Sequence, residues 1–119
     1  MATLVVFEFP SAGPWGAAMA ETYSDLAADI AQDPDLVWKV WIEAADRGVA
    51  GGVYLFRTKQ AARTYTAKHS ARLRLWGVTD IDVRSFEVNP SLSQITRVAA
   101  SSLPPSPNDS YQGGEDTVR

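Results

Sequence analysis

Apolar and polar positions recur with two different periods along the chain, and the switches between them mark its elements. Leu4 to Phe9 is short, β-branched and aromatic and stops at Pro10, which predicts a strand. Gly13 and Pro14 break the chain, and Pro14 suits the first turn of a helix. From Trp15 the spacing turns helical: Trp15, Met19, Tyr23, Leu26 and Ile30 share one face, with Glu21, Asp25 and Asp29 on or beside the opposite one. Asp33-Pro34-Asp35 ends that helix. Leu36 to Glu43 alternates with large groups on both faces, Leu36, Trp38, Val40 and Ile42 against Val37, Lys39, Trp41 and Glu43. Asp46-Arg47-Gly48 marks a turn, and Gly51 to Arg57 is the return strand of a hairpin, again apolar on both sides. A second helix is predicted from Lys59 to Trp76, with Gly77 as its C-cap. Ile81 to Val88 is the last strand, and Ser91-Leu-Ser-Gln94 is a capping-box pattern that opens a short helix through Val98.

The resulting order, βαββαβ, is that of a ferredoxin-like α+β sandwich, one antiparallel sheet with two helices on a single face. Two helices cover only one side of the sheet, yet the central strands carry tryptophans and aliphatics on both. The simplest cover for the second side is another copy of the chain, so a homodimer packed sheet to sheet is expected.

Composition refines the boundaries. The chain has 119 residues, 45% of them hydrophobic, and a formal charge of −3, which fits one domain. Ser101 to Arg119 carries Asp109, Glu115 and Asp116 against Arg119, three of the seven prolines and few large apolar groups. Such a segment cannot bury enough surface to offset its ordering entropy. The expectation is a folded domain over 1–98 and a flexible Ser/Pro/Gly-rich acidic tail over 99–119. The near-neutral domain offers no basic patch for nucleic acid, and no apolar run approaches the roughly 18–20 residues of a membrane span. Met1 to Glu8 lacks the basic region and cleavage site of a secretion signal, which makes a cytoplasmic location the expectation.

Cysteine is absent and histidine occurs once, which excludes disulfides, thiolate chemistry and a multi-histidine metal site. That histidine, His69, lies near the middle of the apolar face Ala62, Tyr65, His69, Leu73 and Trp76 of the second helix, with Arg72 at its edge. It is either a buried group bonded to a backbone carbonyl or a tyrosine, or a pocket-lining group that binds or deprotonates a ligand. Trp15, Trp38, Trp41 and Trp76 are core packing or the walls of a cavity for a flat apolar ligand. Trp38 and Trp41 point to opposite faces, so at most one of them shares a cavity with His69. Residues 15–35 hold five acids and no base, and residues 57–76 hold six Lys or Arg and no acid, which predicts pairing across the helices. Gly48-Val-Ala-Gly-Gly52 joins two strands, so it reads as a hairpin turn and not a phosphate loop. Lys39, Lys59 and Lys68 stand in no motif.

The run Leu36-Val-Trp-Lys-Val-Trp-Ile-Glu43, then Ala50-Gly-Gly-Val-Tyr-Leu-Phe56 and Tyr65-x3-His69-x-Ala-Arg-Leu73, resembles the YdhR-like monooxygenases. So do Gly77-Val78, Phe86-Glu-Val-Asn-Pro-Ser-Leu-Ser-Gln-Ile95 and the opening Gly13-Pro14-x-Gly16-x2-Met19-Ala-Glu21, with Glu87 where that family commonly has aspartate. The resemblance implies a dimeric α+β barrel and a cofactor-independent oxidation of an aromatic or polycyclic phenol by O2. It implies His69 as base or hydrogen-bond partner and Arg72 as the group stabilising a phenolate. It further implies that Tyr54 and Tyr65 orient substrate oxygens and that Trp38, with Trp76, walls the cavity, with no metal. The alternatives are a binding protein for an aromatic metabolite and a haem-binding barrel with His69 as axial ligand.

Overall fold

The computed structural model describes residues 1–103. Its regular elements are β1 (Thr3–Pro10), α1 (Gly16–Ile30), β2 (Leu36–Ala44), β3 (Val49–Phe56), α2 (Lys59–Leu75), β4 (Asp82–Glu87) and α3 (Pro90–Ile95). The four strands form one antiparallel sheet in the order β2-β3-β1-β4, which is the ferredoxin-like α+β arrangement that the alternating periods predict.

The helix ends show which local chemistry operates. The Thr58 side chain caps α2 by accepting from the Ala61 N–H at 3.0 Å. Helix α1 has no side-chain cap of its own. Its Gly16 N–H instead donates to Glu43 Oε1 at 2.8 Å, which ties the start of α1 to the end of β2. Pro14 precedes the helix and does not open it. In α3 the cap is Asn89, whose side chain accepts from the Leu92 N–H at 3.0 Å. Helix α3 is therefore capped two residues before the Ser91 expected from sequence.

The glycine-rich segment also divides differently. The turn is a short 3₁₀ stretch, Ala45–Arg47, closed by Gly48 at φ 64°, while Gly51 and Gly52 lie inside β3. They are strand glycines, at places where another backbone and another side chain come close.

Strand β2 contains a register shift between Leu36 and Trp38. Leu36 pairs with Phe56 and Trp38 with Leu55, so Val37 is an extra residue. Leu36 thus packs on the helix side with the main core, while Val37 joins a cluster on the far side. Strict alternation, which placed Leu36 with Trp38, fails at this one step.

The main core lies between sheet and helices and is built on Val5, Phe7, Tyr54, Phe56, Tyr65 and Leu73, with Ile30 from α1. A smaller cluster on the other sheet face joins Ala2 and Leu55 to Leu103, which is only 4% exposed. Ala99 to Leu103, expected in the tail, therefore continues the fold through the 3₁₀ turn Ala100–Ser102. The remainder of the expected flexible tail, 104–119, lies outside the described residues. This C-terminal segment covers part of the second sheet face. Trp38, Val40 and Phe86 remain 37%, 51% and 50% exposed.

Candidate active site

A partly enclosed cavity of about 120 Å³ opens between the sheet and the two long helices. Its walls come from Met19, Tyr23 and Leu26 of α1, Lys39 and Trp41 of β2, Tyr54 of β3, and His69 and Leu73 of α2. Trp76, 54% exposed, stands at the end of α2 and also lines it. The apolar faces of both helices converge here, as their periodicity requires.

Trp38 is not among the lining residues. Its cross-strand partner Leu55 packs on the far sheet face, whereas neighbouring Lys39 pairs with Tyr54 on the helix side. The expectation that Trp38 walls the cavity is therefore corrected: Trp41, three residues on, does so. Trp41 stacks on Tyr23 of α1 with ring centroids 6.4 Å apart and an interplanar angle of 25°.

His69 is 3% exposed, stacked on Tyr65 and edge-on to Phe7, with ring centroids 5.1 and 5.3 Å away. Its hydrogen-bond partner is Arg72, whose Nε and Nη2 lie 3.3 and 2.9 Å from His69 Nδ1. It is not the carbonyl or tyrosine that a purely structural histidine was expected to find. Arginine has no acceptor, so Nδ1 must present its lone pair and the ring proton sits on Nε2. Burial, reinforced by Lys39, Arg72 and Lys68, pushes His69 down to about 3. The imidazole is thus neutral and held as a donor through Nε2, for which no protein acceptor is found among the described residues. A proton-acceptor role, one of the two expected, does not fit this geometry.

Arg72 does not line the cavity. Its Nη1 pairs with Asp29 Oδ2 at 3.0 Å, the only pair joining the acidic first helix to the basic second among the described residues. Arg72 spans from Asp29 on α1 to His69 and fixes the imidazole tautomer. Its expected direct contact with a phenolate is not what the structure presents. Tyr65 is buried and stands behind the cavity wall, donating to the Tyr54 hydroxyl at 3.3 Å. Burial raises both phenols above their ordinary range, so each stays protonated and Tyr54 brings a neutral hydroxyl to the lining.

Lys39 was missed in the sequence. Its Nζ lies 3.4 Å from the centroid of Trp41 and 4.7 Å from that of Tyr54. Burial and then the Arg72 charge bring it down to about 7. The available signal was an inward lysine held between two tryptophans, in Trp38-Lys39-Val40-Trp41. Among the described residues, no group of three His, Cys, Asp or Glu could hold a metal ion. No helix among them is long and apolar enough to cross a membrane.

The sheet and helices define a ferredoxin-like α+β fold, with an aromatic cavity between them, and the comparisons agree with that fold. A family model described as "Putative mono-oxygenase ydhR" matches residues 4–99, and the chain belongs to that family. No curated protein matches it. Among solved structures, the chain is similar to a point mutant of SnoaB, a cofactor-independent oxygenase from Streptomyces nogalater. Identity to it is 17% and the TM-score 0.53, over 74% of this chain and 93% of that one. Another similar structure is a "putative antibiotic biosynthesis monooxygenase" from Deinococcus radiodurans, with 16% identity and TM-score 0.48 over 75% and 93% of the two chains.

Proposed function

We propose that the protein is a cofactor-independent monooxygenase that oxidises an aromatic substrate bearing an ionisable hydroxyl. The observation that carries this reading is the cavity, whose aromatic walls enclose Lys39, Tyr54 and His69 as polar groups. Family membership and the fold shared with SnoaB support it. The volume limits what enters. A cavity of about 120 Å³ accepts about one aromatic ring, since an engineered cavity of about 150 Å³ binds benzene. A polycyclic substrate would insert one ring and lay the remainder against Trp76. A haem does not fit this space, which disfavours His69 as an axial ligand.

The chemistry balances without a redox cofactor. A diaryl methylene next to an ionised phenol gives up four electrons to O2. One oxygen atom enters as the carbonyl of the quinone, and the other leaves as water with the two methylene hydrogens. The protein excludes water and directs hydrogen bonds from Tyr54 and from His69 Nε2–H at the substrate oxygens. With 1,8-dihydroxyanthrone in ¹⁸O2, label is expected in the quinone at a rate well above the protein-free blank. Replacing His69 by Ala is expected to slow that rate about 100–1,000-fold, as loss of one oriented donor does. A rate equal to the blank for the wild-type protein would remove the oxygenase reading. Tight binding of the anthrone without turnover would favour a binding protein instead.

The uncovered sheet face carries Trp38, Val40 and Phe86, and we infer that a second copy covers it. Strands β2 and β4 bound the sheet, so the exposed residues lie on its two outer strands, on either side of the part that Leu103 covers. Sedimentation is expected to give a dimer for the wild type and a monomer for Val40→Glu, whose carboxylate would be buried unpaired. A monomeric wild type at tens of micromolar would refute this assembly.

A further inference from the structure

Four polar groups face one another beneath the helices: Lys39, Tyr54, Tyr65 and His69, with Arg72 behind the last. Each can be asked whether it can take a proton from a ligand. The two tyrosines cannot, because burial holds them in the protonated state. His69 cannot, because Arg72 occupies its only lone pair. Arg72 has no lone pair to offer. Lys39 remains.

Its setting matches that task. The Nζ lies over two π faces, those of Trp41 and Tyr54, and the ion pairs among the described residues are Arg72–Asp29 and Arg84–Asp82. No carboxylate therefore neutralises Lys39. The other charged group bearing on it is Arg72, also a cation. Strand β3 makes room for it: a Cβ on Gly52 would come within 2.6 Å of Lys39 Cε and 3.4 Å of Nζ. The lysine stem thus lies across Gly52, where β3 has no side chain to obstruct it. A half-buried amine without an anionic partner, at the wall of an aromatic cavity, calls for an anion from outside.

We propose that Lys39 accepts the proton of the substrate's phenolic or enolic hydroxyl and then holds the resulting oxyanion as an ion pair. The O–H bond breaks, an N–H bond forms on Nζ, and no electrons leave the pair until O2 is reduced. The inference rests on the aromatic-ligand reading above and assigns to Lys39 the ionisation of the hydroxyl that this reading requires. Neutral aromatics of the same shape would bind without being activated. At the pH where half of the free lysine is neutral, about 7, the amine is available. Binding of the oxyanion would then return it to the ammonium form.

The test uses 4-nitrophenol, a single ring that ionises near neutrality and whose phenolate is visibly coloured, beside nitrobenzene, which has no acidic proton. In the wild-type protein the ionisation midpoint of bound 4-nitrophenol should fall by about one to three pH units relative to free. In Lys39→Met that shift should vanish, and affinity for 4-nitrophenol at neutral pH should drop about tenfold or more. Affinity for nitrobenzene should change less than about threefold, since Met preserves the stem volume. In the wild-type protein, the ¹³Cε resonance of Lys39 should also move to its ammonium value when 4-nitrophenol binds. If both proteins bind nitrobenzene but show the same 4-nitrophenol midpoint, Lys39 is not the acceptor while the aromatic site stands. If the wild type binds neither compound, the aromatic site itself falls, and Lys39 with it.

Discussion

Gly51→Ala is expected to abolish the folded protein, whereas Gly52→Ala, one residue along the same strand, is expected to fold. A Cβ on Gly51 would collide with the Phe7 carbonyl oxygen and sit 2.8 Å from the Phe7 carbonyl carbon and 3.0 Å from Glu8 Cα. All three atoms are backbone of β1, which pairs with β3 from Thr3–Phe56 to Pro10–Val49 at the centre of the sheet. Only separating the two strands relieves that contact, and their ladder carries Val5, Phe7, Tyr54 and Phe56 into the main core. The cost is placed at about 4 kcal/mol or more, in the range reserved for overpacked or strained core positions. That is comparable with the whole stability of a small domain, about 5–15 kcal/mol. Gly52 differs because the atom it would meet at 2.6 Å is Lys39 Cε, part of a flexible side chain. Urea unfolding of both variants checks this, and equal midpoints for the two would contradict it.

Acid lability should come largely from one residue. His69 titrates at about 3 in the folded chain and at the ordinary 6.5 when unfolded. Between those values the unfolded chain binds a proton that the folded one refuses. Stability therefore falls as the pH drops below about 6.5, and the loss is complete only near 3. Between pH 6.5 and 5, where carboxylates still contribute little, the expected loss is about 2 kcal/mol. His69→Gln keeps an acceptor for Arg72 in its amide oxygen but cannot take up the proton. Its unfolding midpoint should be flat over that window, against a declining wild-type curve. Parallel curves would show that His69 is not the group being protonated.

The periods of the sequence made the architecture legible. Helical spacing from Trp15 and along Ala62, Tyr65, His69 and Leu73 placed both helix faces on the core, and both faces now border the cavity. The choice between Trp38 and Trp41 was not legible, because alternation separates two faces of a strand without saying which one the helices cover. Lys39 was hidden for a related reason. A lysine in a strand is ordinarily solvated, and only the pairing of β2 with β3 shows it lying over Gly52 between Trp41 and Tyr54. The role of Arg72 was missed because a residue's place on a helical wheel shows its neighbours, not the lone pair it occupies. Leu103 was read as tail because its partners, Ala2 and Leu55, lie far off in sequence.

The extra residue in β2 gives that strand an uneven tolerance to changes in length. Removing Val37 would bring Leu36 and Trp38 together as partners of Phe56 and Leu55, which are already adjacent. The regular ladder would be restored, with Lys39 and Trp41 still toward the helices and Trp38 still away from them. A single-residue deletion between Trp38 and Trp41 would instead exchange the two faces over part of the strand, turning the cavity lysine or tryptophan outward. In a systematic deletion library of this segment, survivors with an intact cavity should therefore cluster at Val37.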